Sequence, residues 1–196
     1  MEQINKTFWS NYLRPNNYIK SINDIDFKLL YNNGIRVIIC DLDNTLAPTF
    51  KKWPFKATVN LIKLIKNLGI RFFIVSNNND SRVREYVKKL ETEIKIDGYL
   101  SSAWKPFLFK LNNFFKKHKI DYNETIFIGD QFVTDIIVAN RLKSESILVL
   151  SLIDTSEIGF WNNVLQLIEK FIYKKLAHEN QLTKPSIIKI EEPKLL

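Results

Sequence analysis

Two aspartates, Asp41 and Asp43, close the run Arg36-Val-Ile-Ile-Cys-Asp-Leu-Asp-Asn-Thr-Leu-Ala-Pro48. Four consecutive apolar residues read as a strand buried on both faces, and the end of such a strand is a costly place for carboxylates that serve only solubility. Residues i and i+2 of a strand share a face, so the two acids converge at the carboxyl edge of a sheet, where open α/β folds bind ligands. The pair asks for a cation. Alone it is ambiguous, because Asp-Asn-Thr is also good turn and capping chemistry.

Three further segments carry residues of complementary chemistry. Ser76, Asn77 and Asn78 follow the apolar run 71–75, Lys105-Pro106 precedes a helical pattern, and Gly129-Asp130 ends another apolar run with Asp135 five residues on. Grouped together, several carboxylates need a bound cation, and an all-oxygen ligand set suits a hard ion such as Mg²⁺. A serine hydroxyl, amide N–H groups at a helix start and a lysine ammonium suit phosphate oxygens.

The elements that must bring these residues together are legible from periodicity. Apolar strand patterns at about 36–41, 71–75, 97–100, 125–129 and 146–150 alternate with helical spacings. That alternation marks βαβ units and a doubly wound parallel sheet with helices on both faces. Helices are expected over Ala57–Leu68, closed by Gly69, and over Asp80–Leu90 after an Asn-Asn-Asn-Asp start that can cap it. A third opens at Pro106 and carries Phe107, Leu108, Leu111, Phe114 and Phe115 as core residues, and a fourth spans Val133–Leu142. The carboxyl ends of such strands lie side by side, so Asp41, Asp43, Thr45, Ser76, Asn77, Lys105, Asp130 and Asp135 gather around one pocket. Trp53, Phe55 and Trp104 fit either the rim of that pocket or the core.

The chain of 196 residues, with 45% apolar residues, 14 Phe and 4 Trp, is sized for one domain with extensions. The expected division is an N-terminal flank packed on the core at 1–33, the α/β core at 34–156, an amphipathic helix within 157–182 carrying Trp161, Leu165, Ile168 and Ile172 on one side, and a tail at 183–196. A single cysteine, Cys40, inside the first strand excludes a disulfide framework and reads as a small buried hydrophobe. The opening Met-Glu-Gln-Ile-Asn-Lys has no apolar signal region, and no apolar run approaches a membrane span, so a cytoplasmic protein is expected. A net charge of +8 favours an anionic partner. The lysines are spread rather than blocked together, which speaks against nucleic acid.

With these residues in hand the chain resembles the haloacid dehalogenase-like (HAD) superfamily, whose four motifs match in order at Asp41-Leu-Asp-Asn-Thr45, Ser76, Lys105 and Gly129-Asp130 through Asp135. More narrowly it is similar to the YqeG family of subfamily IIIA phosphatases, through Leu13-Arg-Pro-Asn-Asn-Tyr-Ile-Lys-Ser-Ile22, Val75-Ser-Asn-Asn-Asn79, Gly129-Asp-Gln-Phe-Val-Thr-Asp135 and Asn140-Arg-Leu142. The resemblance implies a three-layer Rossmannoid fold and a phosphatase in which Asp41 is the nucleophile and Asp43 the general acid and base. Mg²⁺ would take the carboxylates of Asp41 and Asp130 and the backbone carbonyl of Asp43. Thr45, Ser76, Asn77 and Lys105 would hold the phosphoryl group, and Asp135 would stand behind them to orient Lys105 or a metal-bound water. Asn44 stands where the superfamily often has Gly, a position that Asn tolerates.

Substrate choice in the superfamily often lies in an inserted cap. Here about 25 residues separate Thr45 from the second strand and a similar number separate Asn79 from Lys105, room for one helix and its turns each. A capless site stays open to a large substrate. Relatives of the YqeG family act on phosphatidylglycerophosphate, which makes that lipid the leading substrate, met at the inner face of a membrane through aromatic and basic residues of the flank, Trp9, Tyr12, Arg14 and Lys20. The alternatives are another phosphomonoester, on a phosphoprotein or a nucleic-acid end, and a HAD-fold binding protein without turnover.

Overall fold

The computed structural model describes residues 11–150, 152, 160–179 and 182. Six strands form one parallel sheet: β1 (Asn17–Ile19), β2 (Val37–Cys40), β3 (Arg71–Val75), β4 (Gly98–Leu100), β5 (Thr125–Gly129) and β6 (Glu145–Val149), in the order β1-β6-β5-β2-β3-β4. Helices α1 (Phe27–Asn32), α2 (Lys56–Asn67), α3 (Asp80–Leu90), α4 (Phe109–His118), α5 (Ile137–Leu142) and α6 (Phe160–His178) alternate with or follow the strands.

Strand β2 lies in the middle, with Cys40 level with Ile74 on one side and Ile128 on the other, and all four of its residues are buried. Its side chains alternate between two cores, as the pleat requires. Ile38 and Cys40 join Phe72, Ile74 and Ile128 against Ile62, Ile65, Val83 and Tyr86 of α2 and α3. Val37 and Ile39 join Phe73, Val75 and Phe127 against Leu111, Phe115 and Val138 of α4 and α5. Between β2 and β3 there is only α2 with its loops, and between β3 and β4 only α3. Gly69, at φ +81°, closes α2 in the left-handed conformation that glycine adopts without strain.

The N-terminal flank does more than pack on the core. Its residues 17–19 add strand β1 to the sheet edge, and Asn16 fixes the register by exchanging bonds with Ser146: Asn16 N–H donates to the Ser146 hydroxyl at 3.2 Å and Ser146 N–H donates to Asn16 Oδ1 at 2.9 Å. Three residues are too few for a period-two pattern to register in a sequence. Trp9 and the expected tail at 183–196 lie outside the described residues.

Three expected elements are corrected. Helix α4 begins at Phe109, not at Pro106, which sits in a turn closed by Phe107 N–H donating to Trp104 O; Phe107 and Phe109 face solvent. The fourth helix opens with a π-helical stretch, Phe132–Ile136, in which Ile136 N–H reaches back five residues to Gln131 O before α5 proper begins. Helix α6 buries Ile172 and Leu176 against Leu13, Tyr18, Phe132, Ile136 and Leu148, whereas Ile168 is exposed. Among the described residues no helix is long and apolar enough to cross a membrane.

One polar contact fastens α6 to the π-helical turn. The Glu169 carboxylate accepts the N–H groups of Phe132 and Val133 at 2.9 and 3.0 Å, supplying from another helix the acceptors that a helix start lacks. Burial pushes the Glu169 carboxyl up to about 7, with the two N–H bonds opposing and the charge of Asp135 adding to the rise. A carboxyl whose folded pKa exceeds its unfolded value favours folding most when protonated, and the advantage is lost as pH rises through the window from about 4.3 to the folded value. Glu169→Gln is neutral throughout. Urea denaturation should therefore show the stability difference moving against the wild type between pH 5 and pH 8, by on the order of 2 kcal/mol. A difference that is flat in pH would contradict the burial of this charge.

Candidate active site

The sheet reverses its winding between β2 and β5: the chain runs outward from β2 to β3 and β4, then returns to lay β5 on the other side of β2. Open parallel sheets bind ligands at such a switch point, beyond the carboxyl ends of the strands. Asp41 leaves β2 there, Ser76 leaves β3 and Asp130 leaves β5.

Lys105 is the centre of the cluster. It is buried, and its ammonium donates to Asp41 Oδ1 and Asp135 Oδ1, each at 2.7 Å, and to the Val75 carbonyl at 2.9 Å, so all three N–H bonds are used. Burial alone would lower its proton affinity, but the Asp135 and Asp41 carboxylates outweigh that and hold the ammonium above its ordinary range. Asp41 is pushed up to about 7, chiefly by burial, with Lys105 pulling down and the Asp135 charge pushing up. The Lys105 ammonium offsets only part of the burial cost of ionising Asp41.

The loop bearing Lys105 is tied to the loop after β3. Asn77 spends its whole amide on the Lys105 backbone, donating to the carbonyl at 2.9 Å and accepting the N–H at 2.7 Å. Ser102 N–H and Ala103 N–H donate to the carbonyls of Asn78 and Ser76. Ser102 and Trp104 take φ of 45° and 60°, left-handed conformations that side chains avoid unless the surroundings impose them. Asn77, expected as a substrate contact, is thus engaged in holding the lysine.

Asp43 is held on both oxygens. Oδ2 accepts from Ser76 Oγ at 3.3 Å and Asn78 Nδ2 at 3.2 Å; Oδ1 accepts from Arg82 Nη2 at 3.0 Å and Nε at 3.3 Å. Asn78 belongs to the strand-end group expected from the sequence, whereas Arg82 was not among the residues expected at the site. The Asn run before α3 reads as capping residues, and Asn79 does accept Arg82 N–H as N-cap, while Arg82 looks like one of several cations on an amphipathic helix. The available clue is its spacing: Arg82 lies four residues before the fully buried Tyr86, on one face with it, and its guanidinium stands 5.4 Å from that ring.

The remaining expected residues serve one another. Thr45 Oγ1 donates to Asp130 Oδ1 at 3.4 Å, linking the loop after β2 to the end of β5. Asn44 takes φ 66°, the left-handed turn its position requires. Gly129 has no room for a side chain, since a Cβ there would overlap the Asp135 carboxylate.

An oxygen-ligand cation fits this edge. Among the described residues no three His, Cys, Asp or Glu side chains converge on a metal position. The candidate set instead joins the carboxylates of Asp41 and Asp130 to the backbone carbonyl of Asp43. The neighbouring carbonyls of Leu42 and Ala47 are taken by the N–H groups of Leu46, Ala47 and Asn44, and no described donor is bonded to that of Asp43. Burial is the chief reason the Asp41 carboxyl is raised, and a cation bound there would favour its ionised form.

Comparison with known proteins places this geometry. The chain is 27% identical over 171 residues to a Bacillus subtilis (strain 168) protein named "Probable phosphatase YqeG", covering 87% of this chain and 95% of that one. A shorter likeness, 37% over 92 residues, is to a Helicobacter pylori copper-transporting ATPase, covering 44% of this chain and 11% of that protein. Among solved structures, NagD from Escherichia coli K-12 superposes with a TM-score of 0.52 at 12% identity, over 64% of this chain and 93% of that one. A protein from Listeria monocytogenes serotype 4b superposes with a TM-score of 0.51 at 17% identity, over 71% and 99%. The fold is HAD-like, and the chain is a phosphatase of that superfamily. The model of the family described as "Mitochondrial PGP phosphatase" matches residues 4–153, and the chain belongs to that family.

Gly129→Ala tests the tightest packing of the site. The added methyl must displace the Asp135 carboxylate and loosen Lys105, so the variant should lose about 1–3 kcal/mol of stability, as overpacked cores do. Phosphatase activity should fall at least tenfold where the variant is still folded. Thermal unfolding and phosphate release read the two effects, and full activity with an unchanged midpoint would mean that Asp135 is not fixed by Gly129.

Proposed function

We propose that the protein hydrolyses phosphomonoesters with Mg²⁺ through a phosphoryl-aspartate on Asp41, and that its substrate is phosphatidylglycerophosphate. The observation that carries the chemistry is the meeting of Asp41, Lys105, Ser76 and Asp130 at the switch point of the sheet, with Asp43 beside them. Asp41 and Asp130, with the Asp43 carbonyl, would hold the metal, which would supply charge neutralisation at the phosphoryl oxygens.

The protein's own groups do the rest. An Asp41 oxygen attacks phosphorus as the ester P–O bond breaks, and the departing oxygen takes a proton from Asp43. Water then attacks the same phosphorus and gives its proton to Asp43, and the bond to Asp41 breaks, releasing inorganic phosphate and restoring both acids. Lys105 keeps one Asp41 oxygen in place throughout. Ser76 donates to the transferring group, and Asp135 holds Lys105.

Two observations support the lipid. The family to which the chain belongs is described as one of PGP phosphatases. The segments leaving the carboxyl ends of β2, β4 and β6 expose Phe50, Trp104, Phe107, Phe109, Leu150 and Leu152, so apolar side chains rim the edge on which the site opens. Lys110 stands 4.1 Å over the Trp104 ring, the aromatic and cationic pairing suited to an anionic membrane surface. The rim adds to the flank as a candidate contact: Tyr12, Arg14 and Lys20 are exposed, while Leu13, Pro15, Tyr18 and Ile19 between them pack into the fold.

Phosphate release from phosphatidylglycerophosphate vesicles with Mg²⁺ is the direct test. Asp41→Asn should abolish it and EDTA should suppress it. Asp130→Asn should weaken metal binding, whereas Asp43→Asn should cost about 10²-fold or more in turnover with little effect on metal affinity. Phe50→Ala with Phe107→Ala should reduce sedimentation with phosphatidylglycerol vesicles at low salt and leave hydrolysis of a soluble ester unchanged. Activity on soluble esters alone, with no vesicle binding at any salt concentration, would rule out the lipid.

A further inference from the structure

The two oxygens of Asp43 are held by partners of different kinds. Oδ2 rests on the Ser76 hydroxyl and the Asn78 amide, neutral donors at the carboxyl end of β3 where the transferring phosphoryl group would lie. Oδ1 rests on the two-point fork of Arg82, and the side chains of that pair are only 12% and 16% exposed. An arriving phosphoryl group, carrying more charge than a carboxylate, competes for the neutral donors and displaces Oδ2. Oδ1 keeps the stronger contact, a charge-assisted two-point bond from a guanidinium.

Arg82 is itself fixed. It rises from the first turn of α3, its backbone N–H bonds the N-cap Asn79, its Nη2 also reaches the Pro48 carbonyl at 3.4 Å, and its guanidinium lies over Tyr86. Its Nη1 is buried with no hydrogen-bond partner among the described residues, so the group is held by Asp43 and by packing rather than by a set of competing acceptors.

We infer that Arg82 is a positioning residue that anchors Oδ1 of Asp43, so that substrate binding frees Oδ2 alone and aims it at the leaving-group oxygen. The inference rests on the proposed role of Asp43 as proton carrier. In the first half-reaction the Oδ2–H bond breaks as the alcohol O–H bond forms and the electron pair of the ester P–O bond passes to the alcohol oxygen. In the second, water loses its proton to the same Oδ2. A lysine in place of Arg82 keeps the charge but loses the planar two-donor grip.

The test is the dependence of kcat/KM, which reports steps through alcohol release, on the leaving group. For the full chain with Mg²⁺, Arg82→Ala should lower kcat/KM by about 10²-fold for an alkyl phosphate, whose alkoxide must be protonated, and far less for p-nitrophenyl phosphate, whose phenolate leaves without a proton. Arg82→Lys should show the same bias, and it carries the test if the Ala variant melts below the assay temperature. Added guanidinium should restore part of the alkyl-ester activity of the Ala variant. Equal loss on both esters, or a rise in KM with kcat unchanged, would overturn the inference and leave Arg82 a structural or phosphate-binding residue. A wild-type chain inactive on every ester would instead defeat the phosphatase reaction itself.

Discussion

The buried ammonium of Lys105 is the contact on which the site depends. Asp41 and Asp135 approach each other through it, and without it two carboxylates would face one another in a low-dielectric edge where like charges are costly. The lysine is effective because its backbone is fixed as firmly as its charge. Asn77 grips both its N–H and its carbonyl, and Val75, the last residue of β3, takes the third proton of the ammonium. Breaking a buried pair by removing one partner typically costs about 3–5 kcal/mol, so the arrangement is rigid rather than merely attractive.

That rigidity is built from elements far apart in the chain. Glu169 on α6 holds the amides of Phe132 and Val133, the π-helical turn that follows holds Asp135, Asp135 holds Lys105, and Lys105 holds Asp41. The bareness of Gly129 is what allows Asp135 to come so close to the strand end. The C-terminal helix is therefore connected to the nucleophile by a continuous series of short polar contacts.

The strands and helices of the central sheet were legible because they are long and periodic: Val37–Cys40 and Arg71–Val75 are continuous apolar runs, and α2 and α3 repeat apolar residues every three or four positions. Strand β1 was not, because three residues hold no period and its pairing is specified by Asn16 and Ser146, 130 residues apart. Asp41, Asp43, Ser76, Lys105 and Asp130 were legible as chemistry at strand ends. The finer division of labour was not. Asn77 and Thr45 are polar residues at strand ends, and only the folded geometry turns their side chains toward Lys105 and Asp130. Phe107 fits a helical core pattern with Leu111 and Phe115, yet the turn through Pro106 delays the helix and leaves it in solvent.

The same turn accounts for the character of the site's mouth. A chain that entered α4 directly after Lys105 would fold Phe107 onto the core, as its pattern suggests. Instead the loop is held back by the bonds from Ser102 and Ala103 to the carbonyls after β3, with Ser102 and Trp104 in left-handed conformations. These constraints place the Lys105 ammonium inward, under Val75, and by the same geometry leave the neighbouring aromatic side chains pointing out. The loop's exposed apolar surface and its buried charge are two consequences of one backbone path. Sequence changes that relaxed the path to hide the aromatics would withdraw the lysine from Asp41. An apolar rim beside the site is thus coupled to the electrostatics of the nucleophile through the backbone of this one loop.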